Sequence, residues 1–159
     1  MATIDHPIGL AVGTSEDLDD IMPVMEAAFG NRFGEAWTRS QCAGILPMAG
    51  VTLTLARDSE ADEATGFSLV RSVADESELL LIAVSPKRRR EGIGRGLLQH
   101  FLDQARMNGI NRAHLEVRDG NPAIHMYRRA GFEPIGRRRN YYRGNDGQQF
   151  DALTFALDL

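Results

Sequence analysis

Residues 78–105, ELLLIAVSPKRRREGIGRGLLQHFLDQA, decide the fold of this chain more clearly than any other stretch. Residues 78–84 form a nearly continuous apolar run, which is typical of a strand buried on both faces. Residues 85–91 form a basic turn, and from Gly92 onward the apolar side chains recur at the spacing of an amphipathic helix. The apolar helix positions are Ile93, Leu97, Leu98, Phe101, Leu102 and Ala105. The pattern predicts a strand, an arginine- and glycine-rich turn, and a helix.

The turn itself predicts a phosphate or pyrophosphate site. The first backbone N–H groups of a helix have no partner inside the helix, and the helix dipole places partial positive charge at the same end. Glycines allow a ligand to approach the backbone closely, and anions bind at such helix starts. We therefore expect an anionic ligand where the basic turn meets the helix.

Spacing distinguishes the known kinds of phosphate site. A P-loop needs Gly-Lys followed by Ser or Thr, and this sequence contains no such run. A dinucleotide fingerprint would need its third glycine at position 97, which is Leu97, although Glu116 imitates the ribose-binding acid of that fold. An ordinary glycine-rich turn between a strand and a helix stays open as the simplest alternative.

Length and composition predict one ordinary globular domain. A chain of 159 residues suffices for one sizeable core but not for two comfortable domains, so we expect a single domain over residues 1–159. No apolar run approaches the ~20 residues that a membrane span needs, and residues 1–10 show no secretory signal. The single cysteine, Cys42, suits a reducing compartment. We therefore expect a cytoplasmic protein that does not bind membranes.

The distribution of charge and the positions of the histidines limit the kinds of ligand to be expected. Residues 1–86 carry 4 Arg against 14 Asp and Glu, whereas residues 87–159 carry 14 Lys and Arg against 8 acids. A basic half suits a polyanionic cofactor and an acidic half suits a basic substrate, although solvated surface charge explains the same counts. The histidines do not cluster, so no metal site is expected. They are His6, His100, His114 and His125.

The remaining periodicities predict a mixed α/β sheet. Strands are expected at residues 8–12, 51–56, 65–73, 112–118, 132–140 and 149–157. A helix is expected after Thr14, with Ser15 as its cap and Gly30 at its end, and Pro23 is expected to break or kink it. A second helix is expected at about 37–45, and a last one begins with Asn121 as its cap.

Two motifs resemble a known superfamily. The hexapeptide at residues 89–94, RREGIG, resembles the (Q/R)-x-x-G-x-(G/A) pyrophosphate loop of the GCN5-related N-acetyltransferases (GNAT). The runs LEVR at 115–118, NPA at 121–123 and MYRRAGF at 126–132 are similar to that superfamily's second conserved block. Two departures are Arg89, where the superfamily usually has Gln, and a spacing one residue shorter between Asn121 and Tyr127.

The tail of the chain is similar to a narrower group. The run RRNYY at 138–142, followed by Asp146-Gly147 and Asp151-Ala152, resembles the ribosomal-protein-alanine N-acetyltransferases of the RimI type. The segment 33–42 with Trp37 is loosely similar to their N-terminal PWS-type helix. The resemblance implies an α/β (α+β) fold: a mixed, mostly antiparallel sheet of six to seven strands with a splayed central strand pair and about four helices.

The resemblance also implies a cosubstrate, acetyl-CoA, and no metal. Its pantetheine and thioester are expected along the central strand at Ile82, Ala83 and Val84. Its pyrophosphate is expected on the loop, with Asn121 as a further contact. The loop residues implied are Arg89, Arg90, Glu91, Gly92, Ile93, Gly94 and Arg95.

Catalytic roles follow from the same resemblance. Glu116 is expected to accept the amine proton, although a carboxylate paired with Arg118 or Arg112 is the structural alternative. Tyr127 is expected to protonate the departing thiolate, since unperturbed pKa values of ~8.5 for a thiol and ~10 for a phenol are close; a core aromatic is the alternative. The pair Tyr141 and Tyr142 is expected either to line a peptide groove or to pack in the core.

The function implied is acetylation of the N-terminal alanine of a small-subunit ribosomal protein by direct attack of the amine on the thioester. At pH 7 roughly a tenth of a peptide α-amine is neutral, against under a thousandth of a lysine, which favours an N-terminus. The expected partner is a basic N-terminal peptide, the enzyme being a monomer or weak homodimer that makes no direct contact with nucleic acid. Three alternatives stay open: a GNAT enzyme for another amine (a small molecule or protein lysine), a non-catalytic acyl-CoA sensor, and a nucleic-acid binder.

Overall fold

The computed structural model describes residues 8–159, which form seven strands and four α-helices. The strands are β1 (Ile8–Gly13), β2 (Val51–Asp58), β3 (Glu63–Val73), β4 (Glu76–Val84), β5 (Arg112–Arg118), β6 (Glu133–Arg143) and β7 (Gln149–Asp158). The helices are α1 (Leu18–Phe29), α2 (Arg39–Ile45), α3 (Ile93–Met107) and α4 (Ala123–Arg129). Every strand and helix predicted from the periodicities is present. The expectations about His6 and a secretory signal fall wholly or mostly on residues 1–7, outside the described residues.

All seven strands belong to one sheet whose central pair opens. The order is β1-β2-β3-β4-β5-β7-β6, and within residues 8–159 only β4 and β5 pair in parallel. This pairing extends from Glu76 and Arg112 to Leu79 and Leu115, after which the two strands diverge. The last part of β4 therefore has no strand partner on that side. A mixed, mostly antiparallel sheet with a splayed central pair is thus confirmed.

A bulge in β4 divides its side chains between two cores. Leu81 pairs with Leu69 of β3, but Leu79 pairs with Val70, so Leu80 is an extra residue. Since side chains alternate along a strand, the extra residue turns Leu79 and Leu81 to opposite faces. Leu81 packs with α1 and α2, whereas Leu79 packs with α3 and α4.

The burial of β4 differs from the prediction. Its side chains alternate between buried and half-buried, so the expectation of a strand buried on both faces is only partly right. The half-buried positions nearest the end of the strand are Leu80, Ile82 and Val84. They lie where the strand has left β5, and less protein therefore covers them.

Helix α3 matches its predicted pattern at every position. All six apolar residues of the predicted stripe are buried, with at most 5% exposure. The residue before the helix, Gly92, has φ of 80°, a left-handed conformation that glycine adopts without strain. At the other end Gly109 has φ of 72°, the left-handed conformation in which helices commonly end.

Helix α1 corrects two expectations. A short 3₁₀ turn at Ser15–Asp17 leads into the helix, and the cap of this turn is Thr14 and not Ser15. Thr14 Oγ1 accepts a hydrogen bond from the Glu16 N–H at 3.2 Å, and the Thr14 N–H donates to Asp17 Oδ2 at 2.8 Å. This reciprocal pattern needs a side-chain acceptor three residues after the cap, which here is Asp17. Pro23 does not break the helix, since it lies on the exposed face, where water can satisfy the carbonyl that loses its partner.

Within residues 8–159 no helix is long and apolar enough to cross a membrane.

Candidate active site

Glu116 lies where the sheet opens. It follows Leu115, the last residue of β5 that pairs with β4, and it pairs across the sheet with Thr154 of β7. Its side chain is 18% exposed, and Arg138 Nε lies 2.7 Å from Glu116 Oε1. The Thr154 hydroxyl is 3.5 Å from the same oxygen. The carboxylate is therefore sheltered, and its ionic partner comes from β6, not from either arginine of β5 that was considered from the sequence.

Arg118 is buried, although it is a charged residue at a polar position of the alternating sequence of β5. Its Nε donates to Glu35 Oε1 at 3.1 Å, and its guanidinium carbon lies 3.6 Å from the centre of the Phe33 ring. Glu35 lies between α1 and α2 and was not among the predicted site residues. The only signal for it in the sequence is an acid inside the otherwise apolar run FGEAW at 33–37.

Asn121 uses both ends of its amide within the chain. Its Oδ1 accepts a hydrogen bond from the Ala123 N–H at 2.9 Å, which confirms it as the cap of α4. Its Nδ2 donates to Glu35 Oε2 at 2.8 Å. The shorter spacing to Tyr127 therefore leaves the cap intact, and a contact between Asn121 and the cofactor stays a prediction.

Tyr127 of α4 is buried in the hydrophobic core that lies beneath α3 and α4. It is 5% exposed, and its ring meets Phe132 edge to face with centroids 6.1 Å apart. Burial raises the pKa of the Tyr127 phenol well above its usual value, with further contributions from Tyr142 and Glu35. The phenol therefore stays protonated at neutral pH. The Tyr127 phenol is therefore a weaker acid than the unperturbed phenol pKa of ~10 implies.

Tyr141 lies within an irregularity in β6, and Tyr142 follows it. The register passes from Arg138 with Ala152 to Tyr142 with Phe150, so β6 has two extra residues there. Tyr141 is 51% exposed and meets Tyr142 edge to face at 5.0 Å. Burial and the neighbouring Glu35 raise the pKa of Tyr142 above its usual value. Tyr141 is thus a surface residue, whereas Tyr142 is half-buried and close enough to Glu35 for the charge of that carboxylate to act on its phenol.

The first half of the predicted phosphate loop is held in place by contacts with other parts of the chain. Arg88 bridges Asp58, at 3.0 Å, and Glu91, at 2.8 Å. Arg89 donates to the carbonyl of Ala28 near the end of α1 at 3.2 Å. These contacts anchor the turn on β2 and α1, and they occupy two of the residues expected at the pyrophosphate.

The other half of the loop is open. Arg90 has φ of 68°, and Arg95 lies in the first turn of α3; both side chains are exposed and form no salt bridge within residues 8–159. No atom lies within 4 Å of the position that a Cβ would take on Gly92. A Cβ on Gly94 would lie 3.5 Å from Met126 and Val84, an ordinary contact. Ile93 is 5% exposed, so its side chain belongs to the core.

The open end of β4 leads to this loop. Ile82, Ala83 and Val84 all lie beyond Leu79, the last residue that pairs with β5. Ala83 is 3% exposed, whereas Ile82 and Val84 are half-buried and pack against the start of α3. Backbone N–H and C=O groups on a strand edge without a partner are available to an extended ligand. The edge and the loop thus fit an extended chain that ends in phosphates.

A groove of about 780 Å³ lies apart from Glu116 and Tyr127, between α1 and the turn from β2 to β3. Its acidic residues agree with the predicted acidic half of the chain. They are Asp19, Asp20, Asp62 and Glu63.

In the part of the chain that the structure describes, no three His, Cys, Asp or Glu side chains are grouped to hold a metal ion.

Known proteins resemble this chain in sequence and in fold. The profile of the acetyltransferase (GNAT) family matches residues 18–132. The [ribosomal protein bS18]-alanine N-acetyltransferase of Escherichia coli (strain K12) is 42% identical over 94 residues, which cover 58% of this chain and 63% of that protein. The alignment thus spans less than two thirds of that relative. The protein of the same name from Haemophilus ducreyi is 34% identical over 145 residues, covering 86% of this chain and all of the relative.

A solved structure agrees over most of the chain. The crystal structure of the ribosomal-protein-S18-alanine N-acetyltransferase from Escherichia coli superimposes with a TM-score of 0.86. The superposition covers 96% of this chain and 94% of the other, at 29% sequence identity.

Proposed function

Because this chain belongs to the acetyltransferase (GNAT) family, we propose that it transfers an acetyl group from acetyl-CoA to the N-terminal alanine of ribosomal protein bS18. The names of the two sequence relatives support the acceptor. The observation that carries the proposal is the position of Glu116, a sheltered carboxylate next to the opening between β4 and β5. A carboxylate there meets an amine that approaches an extended ligand on β4.

The residues present fit acetyl-CoA. The open edge of β4 at Ile82, Ala83 and Val84 would hold the pantetheine by backbone hydrogen bonds. Arg90, Arg95 and the free N–H groups at the start of α3 would hold the pyrophosphate. When bound, acetyl-CoA supplies the carbonyl carbon that an amine attacks and the thiolate that leaves.

The acceptor side depends on proton transfer. An N-terminal amine has a pKa of ~7.7–8 and arrives mostly as the ammonium, so it must lose a proton before it attacks. Glu116 takes this proton directly or through one water molecule. Backbone N–H groups of the open end of β4 stabilise the charge that develops on the carbonyl oxygen.

Tyr127 serves the leaving group. Burial keeps its phenol protonated, so a hydrogen is available for the sulfur as negative charge develops. Since the raised pKa makes the phenol a weaker acid than the thiol, Tyr127 donates a hydrogen bond to the departing sulfur, and the thiolate takes up a proton from water after it leaves. The half-buried Tyr142 would line the acceptor side next to it.

Acetylation of a defined peptide tests the proposal. The purified chain is incubated with acetyl-CoA and a peptide that matches the N-terminus of the bS18 protein of the same organism, and mass spectrometry locates the acetyl group. The control peptide has the same sequence with a blocked N-terminus and its internal lysines intact. We expect acetyl on the alanine amine of the first peptide and none on the second. Transfer to the lysines, or to neither peptide, contradicts the proposal.

Substitution of the base completes the test. Glu116→Gln should lower kcat/KM by about 10²- to 10⁴-fold, the usual contribution of a general base. The affinity for coenzyme A should stay unchanged, because Glu116 lies on β5 and not on the cofactor loop. Glu133→Gln, which removes an exposed acid of β6, is the matched control and should keep the activity of the original chain.

A further inference from the structure

The proposed base already has a cation beside it. Arg138 Nε lies 2.7 Å from Glu116 Oε1, and the exposures of the two side chains are 62% and 18%. The carboxylate is therefore sheltered, while the guanidinium lies mostly in solvent, with its carbon 5.5 Å from the centre of the Tyr141 ring. The contact extends across β7, from the edge strand β6 to β5.

Only one arginine of the run 137–139 makes this contact. Arg137 is held by Asp119 at 2.8 Å and by Asp151 at 2.7 Å. Arg139 is exposed and forms no salt bridge within residues 8–159. The backbone is held just after Arg138, since the Asn140 N–H donates to Asp151 Oδ1 at 2.9 Å and Asn140 has φ of 54°. The local backbone therefore aims Arg138 at the base.

The two cations that meet this carboxylate differ in chemistry. A guanidinium does not release its proton near neutral pH, so the pair of Arg138 and Glu116 cannot advance an acetyl transfer. The ammonium of an acceptor peptide has a pKa of ~7.7–8 and releases its proton readily. Exposed ion pairs are weak, so a second cation that brings its own binding contacts can displace Arg138.

We infer that Arg138 is a positioning residue: in the resting site it takes the place of the acceptor ammonium on Glu116, and the acceptor displaces it. The inference rests on the proposed function. Arg138 keeps the carboxylate oriented and neutralised while no acceptor is bound. After transfer the new amide has no charge, so it cannot compete with the guanidinium, and the return of Arg138 favours release of the product.

The displacement can be observed without turnover. The full chain is labelled with ¹⁵N and saturated with coenzyme A, and the arginine Nε–H signals are recorded during titration with alaninamide. The signal of Arg138 is identified by its loss in Arg138→Gln. We expect alaninamide to move this signal saturably toward the position of free arginines, while the Arg137 signal stays in place. N-acetylalaninamide, which carries no ammonium, should move neither.

An Arg138 signal that alaninamide leaves unmoved, or that both compounds move equally, overturns the inference. Failure of the proposed function is a separate result, because it is the absence of transfer to the bS18 peptide by the unsubstituted chain. An unmoved signal in a chain that does acetylate the peptide removes the role of Arg138 alone.

Steady-state kinetics give a second measurement. In Arg138→Gln the acceptor no longer competes with an internal cation, so KM for the peptide should fall by about 2- to 5-fold, the range set by an exposed ion pair. The kcat should stay within about twofold if Arg138 acts only on occupancy of Glu116. Arg138→Lys keeps a cation and should return KM toward its original value. Arg139→Gln is the matched control, and an equal KM in Arg138→Gln and Arg139→Gln overturns the inference.

Discussion

Arg118 Nε donates a hydrogen bond to Glu35 Oε1 at 3.1 Å, although the two residues are 83 positions apart in the sequence. The side chains are 9% and 10% exposed, so both charges have left water. Asn121 binds the second oxygen of the same carboxylate. The connection between α1 and α2 is thereby joined to the end of β5 and the start of α4, next to the proposed catalytic residues.

The stability of the fold should depend on this pair. Glu35→Gln or Arg118→Met leaves one buried charge without its partner, and either should lower the free energy of unfolding by about 3–5 kcal/mol. The double variant should cost at least ~1 kcal/mol less than the sum of the single ones, because no unpaired charge is left. Urea denaturation measures all three. Asp19→Asn, in an exposed pair with Arg39, is the control and should change stability by less than ~1 kcal/mol; strictly additive costs would contradict the coupling.

Burial of Tyr127 predicts a loss of stability in alkali. The pKa of its phenol is raised in the folded chain, so between the unfolded value of ~10 and the folded value the folded chain holds more protons than the unfolded chain. Stability is then fully present below pH ~10 and falls as the pH rises further. Thermal unfolding from pH 8 to 11.5 should show a decreasing Tm above pH ~10.

Tyr127→Phe should reduce this alkaline loss, since it removes one of the groups responsible; Tyr142, whose pKa is also raised, contributes to what is left. Tyr141→Phe, at a half-exposed position, is the control and should retain the original profile. A Tyr127→Phe profile with the same slope as that of the unsubstituted chain would exclude Tyr127 as a source of the alkaline loss.

The open half of the phosphate loop should bind coenzyme A. Arg90→Gln and Arg95→Gln remove exposed charges without a salt bridge in the described chain, and each should weaken coenzyme A binding by about tenfold, the usual loss for one charged hydrogen bond. Their effect should shrink as the salt concentration rises. Arg106→Gln, at the far end of α3, serves as the control. Titration calorimetry at two salt concentrations distinguishes the cases, and equal affinities in Arg95→Gln and Arg106→Gln would count against the proposed pyrophosphate site.

Gly34 should be important for packing between the α1–α2 connection and the end of β6. A Cβ on Gly34 would lie 2.1 Å from the carbonyl oxygen of Arg143, and its φ is 73°. Gly147 has a similar φ of 84° but open space around the Cβ position, so Gly34→Ala and Gly147→Ala share the backbone strain and differ in the clash. We expect Gly34→Ala to cost about 1–3 kcal/mol more in urea denaturation, the usual range for overpacking. Equal costs would mean that the Arg143 backbone moves aside freely.

The sequence was sufficient for much of the fold because its signals are local. The stripe of α3 spaces its apolar residues at three and four positions, and the structure buries every one of them. The cap of α4 at Asn121 was predicted from a motif of a few residues. Ser15 was placed one residue from the true cap, since Thr14, Ser15 and the acids that follow offer several overlapping patterns.

The candidate site was only partly predictable. The resemblance to the GNAT superfamily identified Glu116 and Tyr127 as candidates, but the partner of Glu116 was sought on its own strand. Arg138 lies on β6, and only the order β5-β7-β6 brings that strand within reach of Glu116. Glu35 was missed altogether, because a single acid carries no periodic signal.

The sequence by itself thus determined the elements, their polarity and the arginine- and glycine-rich turn, because these depend on residues a few positions apart. Only the tertiary structure decided which charges are buried together, where β4 leaves β5, and how far the phenol of Tyr127 is removed from water. Such features depend on strand order and on packing between distant segments. Glu35 and Arg118 illustrate the difference: each is an ordinary charged residue in the sequence, and their mutual burial follows from the fold alone.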